Sequence, residues 1–175
     1  MKSQEIWTTF TPNEPKPVPV YILADVSGSM YGVKIQKLNQ AIRQMIKSFI
    51  DDNDQHVNFH LSVITFGSTA EFHIPLKAVQ DIDFSDLSAS GSTNLKDALH
   101  LAKEVIEDRS KQPARSLTPV VVLISDGLPN SGYQTEFSNF IGSGKTLKVQ
   151  RFAIGIGSDA DLNLLDEFQN IDEVG

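Results

Sequence analysis

Cysteine is absent from the 175-residue chain. Its absence excludes a disulfide framework, a thiolate zinc site and a thiol nucleophile. Long apolar runs are missing as well, since no stretch approaches the roughly 18 apolar residues that a membrane-spanning helix needs. Residues 1–11 also lack the apolar segment of a secretion signal. We therefore expect a soluble protein, most simply a cytoplasmic one, that is not exported by a signal of its own.

Basic residues are few: 15 Lys and Arg stand against 22 Asp and Glu, which gives a formal net charge of −7. The densest basic cluster is Arg109, Lys111 and Arg115, which is too small to follow a phosphate backbone. Nucleic acid is therefore not an expected partner. Apolar residues make up 40% of the chain and charged residues 21%, a balance typical of a single packed domain and unlike that of a disordered chain.

Prolines interrupt the chain between residues 12 and 19. Proline lacks the N–H that helices and strands need, so this stretch is predicted to be an extended lead-in. Pro19 is expected only as the first residue of a strand. We accordingly place a Pro-rich lead-in at residues 1–17 and a single domain at residues 18–175.

Two near-continuous apolar runs, Val18–Ala24 and Pro119–Ser125, predict strands that are buried on both faces. Apolar spacing predicts the other elements. They are, in chain order, a helix from Ile35 to Phe49, a strand over Val57–Phe66 with a hairpin partner at Thr69–Leu76, a helix from Leu95 to Ile106 capped by Ser92 or Thr93, a short helix at Gln134–Ile141, a strand at Lys148–Ile156 and a last helix at Asp161–Phe168. Strands that alternate with helices predict a three-layer α/β fold: an open, mostly parallel sheet with helices on both faces and an antiparallel edge hairpin.

Carboxylates follow both buried strands, at Asp25 and Asp126. In doubly wound sheets, ligands bind outside the carboxyl ends of the strands, where the strand order reverses. Asp25 also opens an Asp-Val-Ser-Gly-Ser-Met array whose alternate side chains, those of Asp25, Ser27 and Ser29, can direct three oxygens to one point. Oxygen-only ligands suit a hard cation such as Mg²⁺. A simple turn, with Asp25 as a strand-end cap, is the alternative that these residues alone leave open.

Three segments follow one another along the chain: Asp-Val-Ser-Gly-Ser at 25–29, Ala-Ser-Gly-Ser-Thr at 89–93 ahead of a helix, and Ser-Asp-Gly at 125–127 after an apolar strand. Their order and spacing resemble the von Willebrand factor A (vWA) family and its metal-ion-dependent adhesion site. The resemblance covers about residues 18–168 and implies a Rossmann-like vWA fold, with the first and fourth strands beside the switch point. Within the family, the first segment and the helix after it look most like bacterial vWA proteins associated with tellurite resistance and stress response.

Carried over position by position, the resemblance implies that the hydroxyls of Ser27 and Ser29 bind Mg²⁺ or Mn²⁺. It also implies that Thr93 binds the metal directly or through water, and that Asp25 and Asp126 act mainly through waters. Neutral hydroxyls leave the cation electrophilic, so it can take a carboxylate from another molecule. The implied function is a protein-binding module whose partner contributes an Asp or Glu carboxylate, with neither nucleic acid nor membrane as a partner.

The alternative function is a Mg²⁺-dependent phosphoryl-transfer enzyme with Asp25 as nucleophile and Asp126 helping to hold the metal. That chemistry needs an acid two residues later to protonate the leaving group, and Ser27 stands there instead. Other catalytic motifs are missing: the four histidines are scattered, no G-x-S-x-G occurs, and the Gly-Lys-Thr at 144–146 lacks the first glycine of a phosphate-binding loop. We therefore predict a binding module and not an enzyme.

Overall fold

The computed structural model describes residues 14–171 of the chain. Residues 1–13, which form most of the predicted lead-in, lie outside the described residues, as do residues 172–175. Strands and helices alternate along the described part. The strands are β1 (Lys16–Asp25), β2 (Val57–Phe66), β3 (Ala70–Ala78), β4 (Val120–Ser125) and β5 (Gln150–Gly155), and the α-helices are α1 (Val33–Asp52), α2 (Leu95–Glu107), α3 (Gln134–Gly142) and α4 (Leu162–Phe168).

The strands form one sheet in the order β3-β2-β1-β4-β5. β1 pairs in parallel with both β2 and β4, and β4 pairs in parallel with β5. β3 returns antiparallel to β2 after a short turn at Gly67. The predicted fold class, a mostly parallel sheet with an antiparallel edge hairpin, is confirmed. The strand order reverses between β1 and β4.

β1 begins at Lys16 and contains both Pro17 and Pro19, so the expectation that Pro19 opens the strand was wrong. β1 pairs with β2 from Lys16 onwards but with β4 only from Val20. The Pro17 carbonyl accepts from the Leu117 N–H, which places this residue's backbone groups, and by alternation those of Pro19, on the β4 side. The missing N–H of each proline would point towards β4, at positions where β1 does not yet pair with β4. The hydrogen bonds between β1 and β2 are therefore undisturbed.

Alternating side chains of β1 divide the apolar core into two layers, one on each face of the sheet. Tyr21 and Leu23 pack with residues of α2, α3 and α4, whereas Val20 and Ile22 pack with residues of α1. Both faces of the central strands are covered, which explains why their sequences are apolar without alternation.

The helices begin close to their expected positions, with one difference at the start of α2. Asn94 is the N-cap, and its side chain accepts from the Asp97 N–H at 3.2 Å. The expectation of Ser92 or Thr93 as the cap was therefore wrong, because the helix begins at Leu95 and the cap is the residue immediately before it. Among the described residues, every helix is too short or too polar to cross a membrane.

Candidate metal centre

The carboxyl ends of β1 and β4 lie side by side, because Ala24 is in parallel register with Ile124. The chain leaves β1 for α1 on one face of the sheet and leaves β4 for α3 on the other face. The two segments diverge at this point, which is where doubly wound sheets bind their ligands. Asp25, the last residue of β1, and Asp126, the first residue after β4, both lie there.

Asp25 is fully buried, and both of its oxygens accept hydrogen bonds from neutral groups. The Ser27 N–H donates to Oδ1 at 2.9 Å, and the Ser125 hydroxyl donates to Oδ2 at 2.7 Å. Burial raises the pKa of Asp25 above its ordinary value, the hydrogen bonds from Ser125 and Ser27 offset this in part, and the charge of Asp126 adds to it. A carboxylate enclosed in this way is not placed to attack a phosphorus atom, so the geometry does not support the phosphoryl-transfer alternative.

Ser27 and Ser29 are brought together by a single 3₁₀ turn, Gly28–Met30, in which the Met30 N–H donates to the Ser27 carbonyl. The two serine hydroxyl oxygens lie 3.0 Å apart, and the Ser29 hydroxyl donates to Asp126 Oδ1 at 2.9 Å. The sequence pattern suggested alternating side chains, and the turn achieves the same convergence with a tighter backbone. Both serines therefore lie between the carboxylates of Asp25 and Asp126.

Lys34, which the sequence pattern did not single out, contacts the same cluster. Its Nζ donates to Asp126 Oδ2 at 2.7 Å, where Asp126 is only 3% exposed. This hydrogen bond raises the pKa of Lys34, and the charges of Asp126, Asp159 and Asp25 raise it further. One oxygen of Asp126 thus accepts a hydrogen bond from the Ser29 hydroxyl, and the other accepts one from the Lys34 ammonium.

Thr93 lies on the loop before α2, and main-chain groups of this loop bond to two other loops. The Asn130 N–H donates to the Thr93 carbonyl at 2.8 Å, and the Thr93 N–H donates to Asn130 Oδ1 at 3.3 Å. Nearby, the Gly28 N–H donates to the Gly91 carbonyl at 2.8 Å. The loop of Thr93 is thereby fixed against the serine turn, although its hydroxyl makes no hydrogen bond to the other four candidate residues in the described part of the chain.

Sequence reasoning missed three residues of this cluster: Lys34, Ser125 and Asn130. Ser125 lay inside the Ser-Asp-Gly segment, but only the pairing of β1 with β4 shows that it faces Asp25. A signal for Lys34 was present. The first turn of α1 contains a lysine and no acidic residue, which the helix dipole disfavours.

The atoms at this place that could coordinate a metal ion are all oxygens, from two serine hydroxyls and two carboxylates. Within residues 14–171, no group of three or more histidine and acidic side chains is arranged to hold a metal ion. A cation at this place would thus depend on hydroxyl ligands and on waters held by the carboxylates. Such a donor set fits a hard divalent cation that retains part of its water.

Comparison with known proteins identifies the family. A family model described as the von Willebrand factor type A domain matches residues 20–173. The chain is also 28% identical over 173 residues to inter-alpha-trypsin inhibitor heavy chain H2 of Mus musculus. This match covers 92% of the chain but only 18% of that relative, so the chain spans a small part of its length.

Solved structures share the fold. Manganese-loaded TRAP protein of Plasmodium vivax matches with a TM-score of 0.66 and 25% identity, over 87% of this chain and 62% of that one. Proximal thread matrix protein 1 of the mussel byssus matches with a TM-score of 0.68 and 21% identity, over 91% of this chain and 43% of that one. The family model covers nearly the whole sheet and every candidate site residue, and the chain belongs to the von Willebrand factor type A domain family.

Proposed function

We propose that this vWA domain is a divalent-metal-dependent protein-binding module. In this proposal Ser27 and Ser29 hold Mg²⁺ or Mn²⁺ through their hydroxyls, Thr93 adds its hydroxyl directly or through water, and Asp25 and Asp126 act through waters. One observation carries the proposal: the hydroxyl oxygens of Ser27 and Ser29 lie 3.0 Å apart, and the Ser29 hydroxyl donates to Asp126 Oδ1 at 2.9 Å. The manganese of the 25% identical TRAP protein supports a divalent cation.

The charge of the cluster defines the chemistry of the partner. When bound, the cation supplies an electrophilic position that is open to a ligand from outside the chain. Asp25 and Asp126 together offset a charge of about two, while the hydroxyls of Ser27 and Ser29 are neutral. An Asp or Glu carboxylate of a partner therefore binds there in preference to a lysine or an amide, which gain no charge-assisted contact.

Exposed apolar side chains lie close to the site in the sequence. Tyr31, two residues after Ser29, is 82% exposed, and Leu128, two residues after Asp126, is 71% exposed. Each is only two residues from a candidate ligand, so a partner carboxylate that reaches the metal would bring its neighbouring side chains close to them. Aromatic and aliphatic anchors of this kind contribute much of the binding energy at protein interfaces.

The proposal also covers the biological context, the type of activity and the metal. From the sequence of residues 24–30, we infer a bacterial, cytoplasmic protein of a stress or tellurite-resistance system. Its activity is binding and not catalysis, and the enclosure of Asp25 supports this part. Mg²⁺ is the preferred cation because the donors are oxygens alone.

Calorimetric titration of Mg²⁺ and Mn²⁺ tests the metal site. The wild type and Asp83→Ala, which removes an exposed carboxylate elsewhere, should bind alike. Asp25→Ala should not bind either cation, because it lacks one of the two carboxylates that offset the charge of the metal. Equal binding by Asp25→Ala and Asp83→Ala would refute the site.

Capture experiments test the partner chemistry. A partner retained by the wild type should be released by EDTA, and replacing one of its acidic interface residues with the amide should abolish capture. Tyr31→Ser and Leu128→Ser should weaken capture while leaving Mn²⁺ binding unchanged. Capture that is indifferent to EDTA and to every amide replacement would show that the domain uses another surface.

A further inference from the structure

The Lys34 ammonium lies among the acidic groups of the candidate metal centre. Its Nζ donates to Asp126 Oδ2 at 2.7 Å, and the other Asp126 oxygen accepts from Ser29. We propose that Lys34 is a tethered cation that neutralises Asp126 in the metal-free protein and competes with the divalent cation for that carboxylate, so that Lys34 sets the metal affinity of the site. This inference rests on the metal-binding function proposed above.

The position of Lys34 in its helix is unfavourable unless something compensates for it. Lys34 is the second residue of α1, and the first turn of this helix contains no acidic residue. The helix dipole disfavours positive charge at this end. The ion pair with Asp126, the first residue after β4, balances the charge of the lysine. The charge at position 34 is therefore explained by the site and not by the helix.

A glycine leaves room for the lysine side chain. A Cβ atom at Gly157 would lie 3.0 Å from the Cε atom of Lys34. Gly157 also has a φ of 85°, a conformation that favours glycine. The loop after β5 thus forms one wall along the path of the lysine towards Asp126. The Lys34 side chain is 28% exposed, so the ammonium has access to water when it leaves the carboxylate.

Both oxygens of Asp126 accept a hydrogen bond from a side chain, one from Ser29 and the other from Lys34. A metal-bound water that hydrogen-bonds to Asp126 needs one of these oxygens as its acceptor, and Oδ2 is the one that carries the ammonium. Charge acts in the same direction. Asp25 and Asp126 balance a divalent cation by themselves, whereas the ammonium leaves one excess positive charge a few ångströms away. Removing the Lys34 charge should therefore strengthen metal binding.

The metal-free protein should respond in the opposite sense. Without the ammonium, Asp126 would stay almost completely buried with only the Ser29 hydroxyl as a partner. Removing one member of a buried ion pair destabilises a protein, because the remaining charge is left uncompensated. A variant without this charge should therefore be less stable in EDTA and gain more from added metal.

Titration of Mn²⁺ alone into EDTA-stripped protein tests the proposal, with calorimetry and thermal melting as readouts. Lys34→Met keeps the length of the side chain and removes its charge. Lys37→Met removes the same charge from an exposed position of the same helix. We expect Lys34→Met to bind Mn²⁺ about tenfold more tightly than Lys37→Met, and Lys34→Arg to stay within about twofold of the wild type. In EDTA, Lys34→Met should melt below Lys37→Met.

The outcomes separate this inference from the proposed function. Equal or weaker Mn²⁺ binding by Lys34→Met than by Lys37→Met overturns the inference, and loss of binding in Asp25→Ala still supports the function. If neither the wild type nor Lys34→Met binds Mn²⁺, both fail. If Lys34→Met does not fold without metal, Lys34→Gln takes its place under the same criterion.

Discussion

Asp25 and Asp126 lie at the carboxyl ends of neighbouring strands and are both almost completely buried, but they are surrounded by different groups. Asp25 accepts hydrogen bonds from the Ser27 N–H and the Ser125 hydroxyl, which are neutral. Asp126 accepts from the Ser29 hydroxyl and from an ammonium. One side of the crevice therefore contains a carboxylate without a counter-charge, and the other contains an ion pair.

This difference indicates how two buried carboxylates can lie close together at the candidate metal centre. Two adjacent buried carboxylates repel each other, and each loses hydration. The ion pair with Lys34 reduces the repulsion from Asp126, although the Asp126 charge still raises the pKa of Asp25. The hydrogen bonds to Asp25 offset part of the cost of its burial. The unbalanced negative charge is therefore concentrated at Asp25, and we expect an added cation to stabilise the protein most there.

The largest effect on metal binding is expected from removing the carboxylate of Asp25, which has no counter-charge. At a metal concentration ten times the dissociation constant, binding stabilises the wild type by about 1.4 kcal/mol, or roughly 3–6 °C in melting temperature for a domain of this size. Asp25→Ala should lose this increase entirely. Differential scanning calorimetry with Mg²⁺ and with EDTA measures it, and an identical increase in both proteins would contradict the comparison.

Without metal, the largest effect on stability is expected when Asp25 loses its hydrogen bond from the Ser125 hydroxyl. Ser125→Ala leaves one oxygen of a fully buried carboxylate without a hydrogen bond, which should cost about 1–3 kcal/mol of unfolding free energy. Ser138→Ala, on the exposed side of α3, is the matched control and should stay within about 0.5 kcal/mol of the wild type. Urea unfolding in EDTA compares them. Equal stabilities would mean that the Ser125 contact does not support Asp25.

The raised pKa of Asp25 predicts a pH dependence. Because its pKa is higher in the folded state than in the unfolded chain, the stability that this group contributes is present at low pH and is lost as pH rises through the folded pKa. Asp25→Asn does not ionise and should become more stable relative to the wild type as pH rises above about 4, the ordinary aspartate value. Unfolding free energies in EDTA at several pH values test this. A stability difference that shrinks with rising pH would contradict the sign.

The smallest effect on stability is expected at Thr93. Its contacts to Asn130 use the main-chain N–H and carbonyl, and the cap of α2 is Asn94. Thr93→Ala should therefore change the unfolding free energy by less than about 0.5 kcal/mol in EDTA while weakening Mn²⁺ binding. Parallel melting and titration separate the two. A large loss of stability with unchanged Mn²⁺ affinity would assign Thr93 a structural role instead.

Much of the fold could be predicted from local patterns. The bounds of β2 agree residue for residue with the alternation that predicted them, because a polar run before the strand and Gly67 after it interrupt the pattern. β1 was less well predicted. Its prolines are acceptable only because β4 starts pairing at Val20, and that fact belongs to the sheet and not to the segment.

The candidate site shows the same difference between features predicted from local sequence and features that depend on the assembled sheet. Asp25, Ser27, Ser29 and Asp126 were predicted because they directly follow buried strands or share one short array. The ion pair of Lys34 with Asp126 joins residues 92 positions apart in the sequence, and it depends on α1 and β4 meeting across the crevice. Local spacing contains no information about such a pair, so its discovery required the three-dimensional arrangement.

The main-chain ties between the loops have a consequence for how the domain can diversify. The Ser90 N–H donates to the Val26 carbonyl at 2.7 Å, the Gly28 N–H donates to the Gly91 carbonyl at 2.8 Å, and the Asn94 N–H donates to the Gly67 carbonyl at 2.8 Å. Such bonds do not depend on which side chains the loops carry. Substitutions on the outer surface of these loops can therefore change the chemistry of that surface without moving the side chains of the candidate metal centre. The surface around the candidate centre and the geometry within it can thus evolve separately.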